Sequence, residues 1–115
     1  MKINVRVIGR VLVVELFGEL DLNTAPRFRD VVEGELHSNP AINHILLLMR
    51  GVTFIDSSGL GVILGRYKKL RPHGGSVIIV APSLQARKAL ELSGLAGIIS
   101  ICSTEDEAWV KAVGV

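Results

Sequence analysis

The sequence predicts an α/β domain: a mixed sheet of four to five strands, opened by a β-hairpin and accompanied by about four helices. Three observations predict it. The opening residues alternate polar and apolar side chains on either side of a Gly-Arg pair. Three short continuous apolar runs follow, "HILLLM" at 44–49, "SVIIVA" at 76–81 and "GIISIC" at 97–102, as expected for strands covered on at least one face. Segments of helical length, with start and stop signals, separate those runs.

Taken in order, residues 2–8 set Lys2, Asn4 and Arg6 against Ile3, Val5 and Val7, and "VLVVELF" at 11–17 is a second β-rich run. Gly9 and Arg10 between them suit a two-residue turn with glycine first. After "GELDLN", Thr24 is placed to cap a helix with Pro26 in its first turn and Phe28, Val32 and Leu36 on one side; Asn39 and Pro40 end it. The second helix runs from about Ser58 to Leu70, and the third starts at Ser83 and stops near Gly94. Thr104 with Glu107 forms a capping box for a last helix, "EDEAWVKAV". The predicted order is β-β-α-β-α-β-α-β-α, a hairpin followed by parallel crossovers.

Composition bounds the function. A chain of 115 residues, 49% hydrophobic and 21% charged, fits one domain spanning 1–115. The net charge of +2 is spread along the chain except at Arg66, Lys68, Lys69 and Arg71, which read as a solvated helix end whose charge complements the helix dipole. With one Trp, one Tyr and three Phe, none interleaved with that cluster, no direct nucleic-acid surface is expected. The N-terminus carries charges throughout, so neither a signal peptide nor a membrane span is expected, and the expected location is cytoplasmic. The single Cys102, within an apolar run, reads as a buried thiol.

The stretch "FIDSSGLGVILGRYKKL" at 54–70 is the most informative. An interior helical glycine costs about 1 kcal/mol relative to alanine, yet glycines stand at 59, 61 and 65. At about 100° per residue, Leu60, Ile63, Leu64 and Tyr67 share one face, and Ser58, Gly61, Val62, Gly65 and Lys69 share the other. The second set forms a smooth outer strip where a partner's backbone can approach. A helix start needs a side-chain cap, which Ser58 is expected to supply although Asp56 can cap too. Ser57 is left exposed with no structural duty, at a helix N-terminus that favours an anion. Phosphate there would add about −1.5 to −2 charges beside Asp56, which makes a switch.

Enzyme patterns fit poorly. A serine nucleophile needs a base and an orienting group, and nothing pairs Ser57 with His37, His44 or His73. The glycines are spaced one residue too long for the dinucleotide fingerprint, and there is no P-loop. Glu19 and Asp21 alternate on one strand, but two acids without histidine or cysteine make a poor metal site. No catalytic residue, metal or cofactor is expected.

Together, "GELD" at 18–21 after an opening hairpin, the 54–70 stretch, and "LSGL" at 92–95 resemble the STAS-domain anti-sigma factor antagonists over essentially the whole chain, most nearly the sporulation members that act on the anti-sigma F factor. The resemblance implies a single STAS domain and a partner switch without catalysis. In such proteins the antagonist binds a serine kinase that doubles as the anti-sigma factor and so frees the sigma factor. Phosphorylation then releases it, and a PP2C-like phosphatase resets it. The family's acceptor, the first serine after the aspartate, falls on Ser57. Asp56, Ser58 and Gly59 match the flanking motif, and Asp21 with Asn23 matches the loop beside it. Leu22 or Asn23 stands where the sporulation members are expected to carry histidine, so the particular sigma factor is left unassigned. The other reading is a free-standing STAS subunit of a transporter or lipid-transport complex. The intact Asp56-Ser57-Ser58-Gly59 with its glycine strip favours the kinase partner, and a monomer is expected when free.

Overall fold

The computed structural model describes residues 1–114; Val115, the last residue of the expected domain, lies outside the described residues. The element order is β1 (Lys2–Ile8), β2 (Val11–Leu20), α1 (Ala25–Ser38), β3 (His44–Ile55), α2 (Ser57–Leu70), β4 (Ser76–Val80), α3 (Leu84–Leu92), β5 (Ser100–Cys102) and α4 (Glu105–Val113). This is the predicted alternation, folded as one five-stranded sheet in the order β1-β2-β3-β4-β5. β1 pairs antiparallel with β2, and the remaining pairs are parallel. Gly9 adopts φ +60° in the turn that sets Ile8 opposite Val11, a backbone region that L side chains avoid.

Three successive crossovers step across the sheet in one direction, and right-handed crossovers of that kind place their helices on one face. Accordingly Phe28 and Val32 of α1, Ile63 and Leu70 of α2, and Ala86 and Leu90 of α3 pack on Leu12, Val14, Leu16, Ile45, Leu47, Met49, Val77 and Ile79. The second face presents the alternate residues Val11, Val13, Leu46, Ile78 and Val80, with Cys102. The nine-residue α4 covers it through Ala108, with Trp109 and Ala112 at the margin. Cys102 is a buried thiol, as its apolar run implied.

Strands β2 and β3 run well past their predicted ends at 17 and 49. The reason is two irregularities in their pairing. Glu15 and Phe17 face Leu48 and Gly51, and Gly18 and Glu19 face Val52 and Phe54, so β3 carries an extra residue each time. Each bulge shifts the inside-outside period, which returns Val52 and then Ile55 to the core but erases the alternation a reader would follow. Ser83 satisfies the freed backbone: its N–H donates to Met49 O at 3.2 Å and its hydroxyl to Val52 O. Ala81, expected in β4, instead turns out of it with φ +48°. The last predicted strand begins only at Ser100, because Leu95–Gly97 curls into a 3₁₀ turn.

The basic run at the end of α2 is not simply solvated. Arg66, its side chain 15% exposed, and Lys69 both pair with Glu33 of α1, Lys69 at 2.9 Å. The Lys69 hydrogen bond, aided by the Arg66 charge against partial burial, holds Glu33 below the usual carboxylate range.

His44, half-buried at the start of β3, lies with Nδ1 2.8 Å from Ser76 Oγ. Burial, with the Arg10 charge, lowers its pKa from 6.5, so folding favours the neutral ring. Above that value neither state is protonated and His44 contributes nothing. As pH falls below 6.5 the unfolded chain takes up a proton that the folded chain resists, and stability drops. Urea midpoints are expected to fall between about pH 7.5 and about pH 5.5, and His44→Gln to flatten that fall. An unchanged slope in His44→Gln would assign the dependence to other groups. Glu33 and Glu105, both lowered from 4.5, lose their contribution only in the more acidic range near and below that value.

Candidate functional site

The site forms where the ends of β2 and β3 hand over to the 21–24 loop and to α2. Asp56 has extended backbone and caps α2 with its carboxylate: Oδ1 accepts from Ser58 N–H at 2.9 Å and from Gly59 N–H at 3.1 Å. The other oxygen, Oδ2, accepts from Leu22 N–H at 3.0 Å, tying the loop to the helix start. Asp56 N–H in turn donates to Leu20 O at 3.2 Å. One carboxylate thus fixes two segments far apart in the sequence.

The expected cap at Ser58 is therefore corrected: Asp56 holds it, because it stands just before the first helical residue and its carboxylate accepts from two orphan N–H groups, one of them that of Ser58 itself. The helix begins at Ser57. Ser57 is exposed and Ser58 half-buried, and neither hydroxyl makes a hydrogen bond among the described residues. Since Asp56 occupies the N–H groups of Ser58 and Gly59, an anion on Ser57 would have to compete with a carboxylate already seated there.

The 21–24 loop is organised by a second aspartate. Asp21 Oδ1 accepts from the N–H groups of Asn23 at 3.0 Å and Thr24 at 3.1 Å. Thr24 does not cap α1 as expected. Its hydroxyl donates to Glu19 O at 2.7 Å and accepts from Asp21 N–H at 2.9 Å, so it closes the loop instead. Leu22 at the tip is 71% exposed, and Phe54, at the end of β3, is 49% exposed. The sequence reading did not single out Phe54, and it gave Thr24 the cap of α1 rather than the closing of this loop. The Asp-x-x-Thr spacing at 21–24 is the signal that could have found the loop's internal bonds.

The glycines of α2 divide by cause. Gly59, which the resemblance places in the partner-binding motif that flanks the acceptor serine, is buried: an added Cβ would lie 2.6 Å from Leu20 Cγ and 2.7 Å from Leu20 O. It is glycine because the helix start abuts the end of β2. Gly61 and Gly65 have nothing within 4 Å of an added Cβ, so the fold does not need them for space. With Ser57 they follow at four-residue intervals along the outer side of the helix. Val62, expected on that strip, packs against the core margin beside Leu60, Leu64 and Tyr67. The buried line of α2 is Gly59, Ile63 and Leu70.

The family model described as "STAS domain" matches residues 2–108. An anti-sigma F factor antagonist of Paenibacillus polymyxa is 38% identical over 98 residues, covering 85% of this chain and 83% of that protein. The solved structure of the anti-sigma factor antagonist SpoIIAA in its unphosphorylated form aligns with a TM-score of 0.85 at 31% identity, covering 99% of this chain and 98% of that one. The Bacillus cell fate determinant SpoIIAA in the phosphorylated form aligns with a TM-score of 0.74 at 32% identity, covering 96% and 98%. The match over the hairpin, the crossovers and the Asp56-capped helix means that this chain belongs to the STAS domain family.

Proposed function

We propose that the protein is an anti-sigma factor antagonist that works as a phosphorylation-controlled partner switch. Its partner is a serine kinase that doubles as an anti-sigma factor. Binding frees the sigma factor, phosphorylation of Ser57 releases the partner, and a PP2C-like phosphatase restores the binding form. The chain contributes a surface and an acceptor hydroxyl, and no catalysis.

One observation carries the reading: Ser57 is exposed at a helix start whose capping is already complete without it. A hydroxyl with no internal partner can enter a kinase active site without breaking a bond of the fold. Gly61 and Gly65 below it leave the approach open. That a relative of the same fold exists in both unphosphorylated and phosphorylated forms supports a switch at this kind of site. Among the described residues no helix is long and apolar enough to cross a membrane. We place the switch in the cytoplasm with its kinase, as a monomer when free.

The test is to incubate the protein with its cognate kinase and ATP and to map the product by mass spectrometry. Phosphate is expected on Ser57, with Ser57→Ala binding the kinase persistently. Phosphate found on Ser58 alone would overturn the assignment, and failure to bind any such kinase would return the chain to a transporter or lipid-transport role.

A further inference from the structure

The second face of the sheet carries a cavity of about 380 Å³ that the partner switch does not use, lined by Glu15 and Phe17 of β2, Leu48 and Arg50 of β3, Val80 of β4, and the start of α4. α4 is nine residues long and packs on β3, β4 and β5, and the cavity lies beside its start, over the later residues of β2 and β3 from Glu15 and Leu48 onward. The first bulge of β3 falls here: between the Glu15–Leu48 and Phe17–Gly51 pairs the strand carries its extra residue, next to Arg50. Bulges of this kind re-aim side chains at the edges of sites.

Two opposite charges, the half-buried Glu15 and the exposed Arg50, line this cavity. Glu105 at its margin is paired with Arg6 at 2.8 Å and accepts a hydrogen bond from Trp109 Nε1–H at 3.0 Å. Glu15 and Arg50 make no hydrogen bond or ion pair among the described residues, either with each other or with another group. A carboxylate and a guanidinium left apart in one cavity, with the apolar wall of Phe17, Leu48 and Val80 around them, complement a small molecule that carries both charges and an apolar group. The volume lies at the small end of ligand pockets.

We propose that this cavity binds an apolar α-amino acid. Arg50 takes the carboxylate, for which its planar fork is suited. Glu15 takes the ammonium group, and the side chain lies on the wall of Phe17, Leu48 and Val80. Such a site would add a small-molecule input on the face away from α2.

The test uses L-phenylalanine and L-leucine as probes, with 3-phenylpropionate and 2-phenylethylamine as controls lacking the ammonium and the carboxylate respectively. In amide spectra of the full chain, the amino acids should give saturable shifts centred on residues 48–51, 80–81 and 103–105, and L-phenylalanine should bind about tenfold or more tightly than either control. Arg50→Gln should reduce L-phenylalanine to the level of 2-phenylethylamine, and Glu15→Gln to that of 3-phenylpropionate. Both side chains are unbonded, so the variants should fold, and their unligated spectra check this. Absence of saturable shifts, shifts centred elsewhere, or a control that binds as tightly as the amino acid would each overturn the proposal.

Discussion

Gly59→Ala is expected to lower stability by about 2–3 kcal/mol, the range of an overpacked core position, although alanine is the better helix former. The new methyl would meet Leu20 Cγ at 2.6 Å, Leu20 O at 2.7 Å and Ile55 Cγ1 at 3.1 Å. The side chains could yield, but the Leu20 carbonyl is held by Asp56 N–H, the residue that also caps the helix. Relief therefore requires moving the start of α2 away from β2, which loosens the bond from Leu22 to Asp56 as well. Gly61→Ala and Gly65→Ala should do the opposite, each stabilising by about 0.4–1 kcal/mol, since a methyl there meets nothing and helical backbone is already in place. If these two glycines serve partner approach, the same substitutions weaken kinase binding. Urea unfolding beside a kinase pull-down separates the effects. A Gly59→Ala protein as stable as the parent would show that the β2–α2 contact gives way easily. Unchanged kinase binding in both outer variants would remove the partner's claim on the strip.

These contrasts mark what the sequence could and could not reveal. The element order was legible because hydrophobic period, turn residues and caps agree at most boundaries: Gly9 at the hairpin, and Ser83 and Thr104 accepting from Ala86 and Glu107 N–H groups. The far end of β3 was not, because two bulges break the period on which strand reading depends. The three glycines of α2 look alike in sequence, yet one answers to Leu20 and two to nothing among the described residues. Likewise Arg66 and Lys69 read as solvated charges because Glu33, which binds them, lies on a different helix. At the site, Asp56 and Ser58 are both good caps, and only the geometry decides between them. Ser57 was legible by elimination, and remains free of bonds whichever of the two holds the cap.

Phosphorylation of Ser57 is expected to weaken kinase binding about a hundredfold without refolding the domain. A negative charge added about 6 Å from an acidic group, at an effective dielectric near 20, costs roughly 3 kcal/mol, which corresponds to that factor. Within the free protein, the phosphate arrives beside a carboxylate that already holds the N–H groups of Ser58 and Gly59. The helix dipole still favours it, but the backbone donors are spent, so the phosphate either stays in solvent or displaces Asp56 Oδ1 locally. In neither case do the sheet or the core behind Ile63 have to move, because Ser57 makes no side-chain bond that the modification could break. Amide spectra of the two forms should therefore differ at residues 21–24 and 56–61 and agree along β3 and β4. The loss of affinity should shrink as salt rises, since exposed charges are screened within about 8–10 Å at physiological ionic strength. Shifts spread through residues 44–49 and 76–80, together with an affinity loss indifferent to salt, would mean that the phosphate acts by changing the shape of the domain. A salt-dependent loss with local shifts assigns the release to charge and bulk at one exposed hydroxyl.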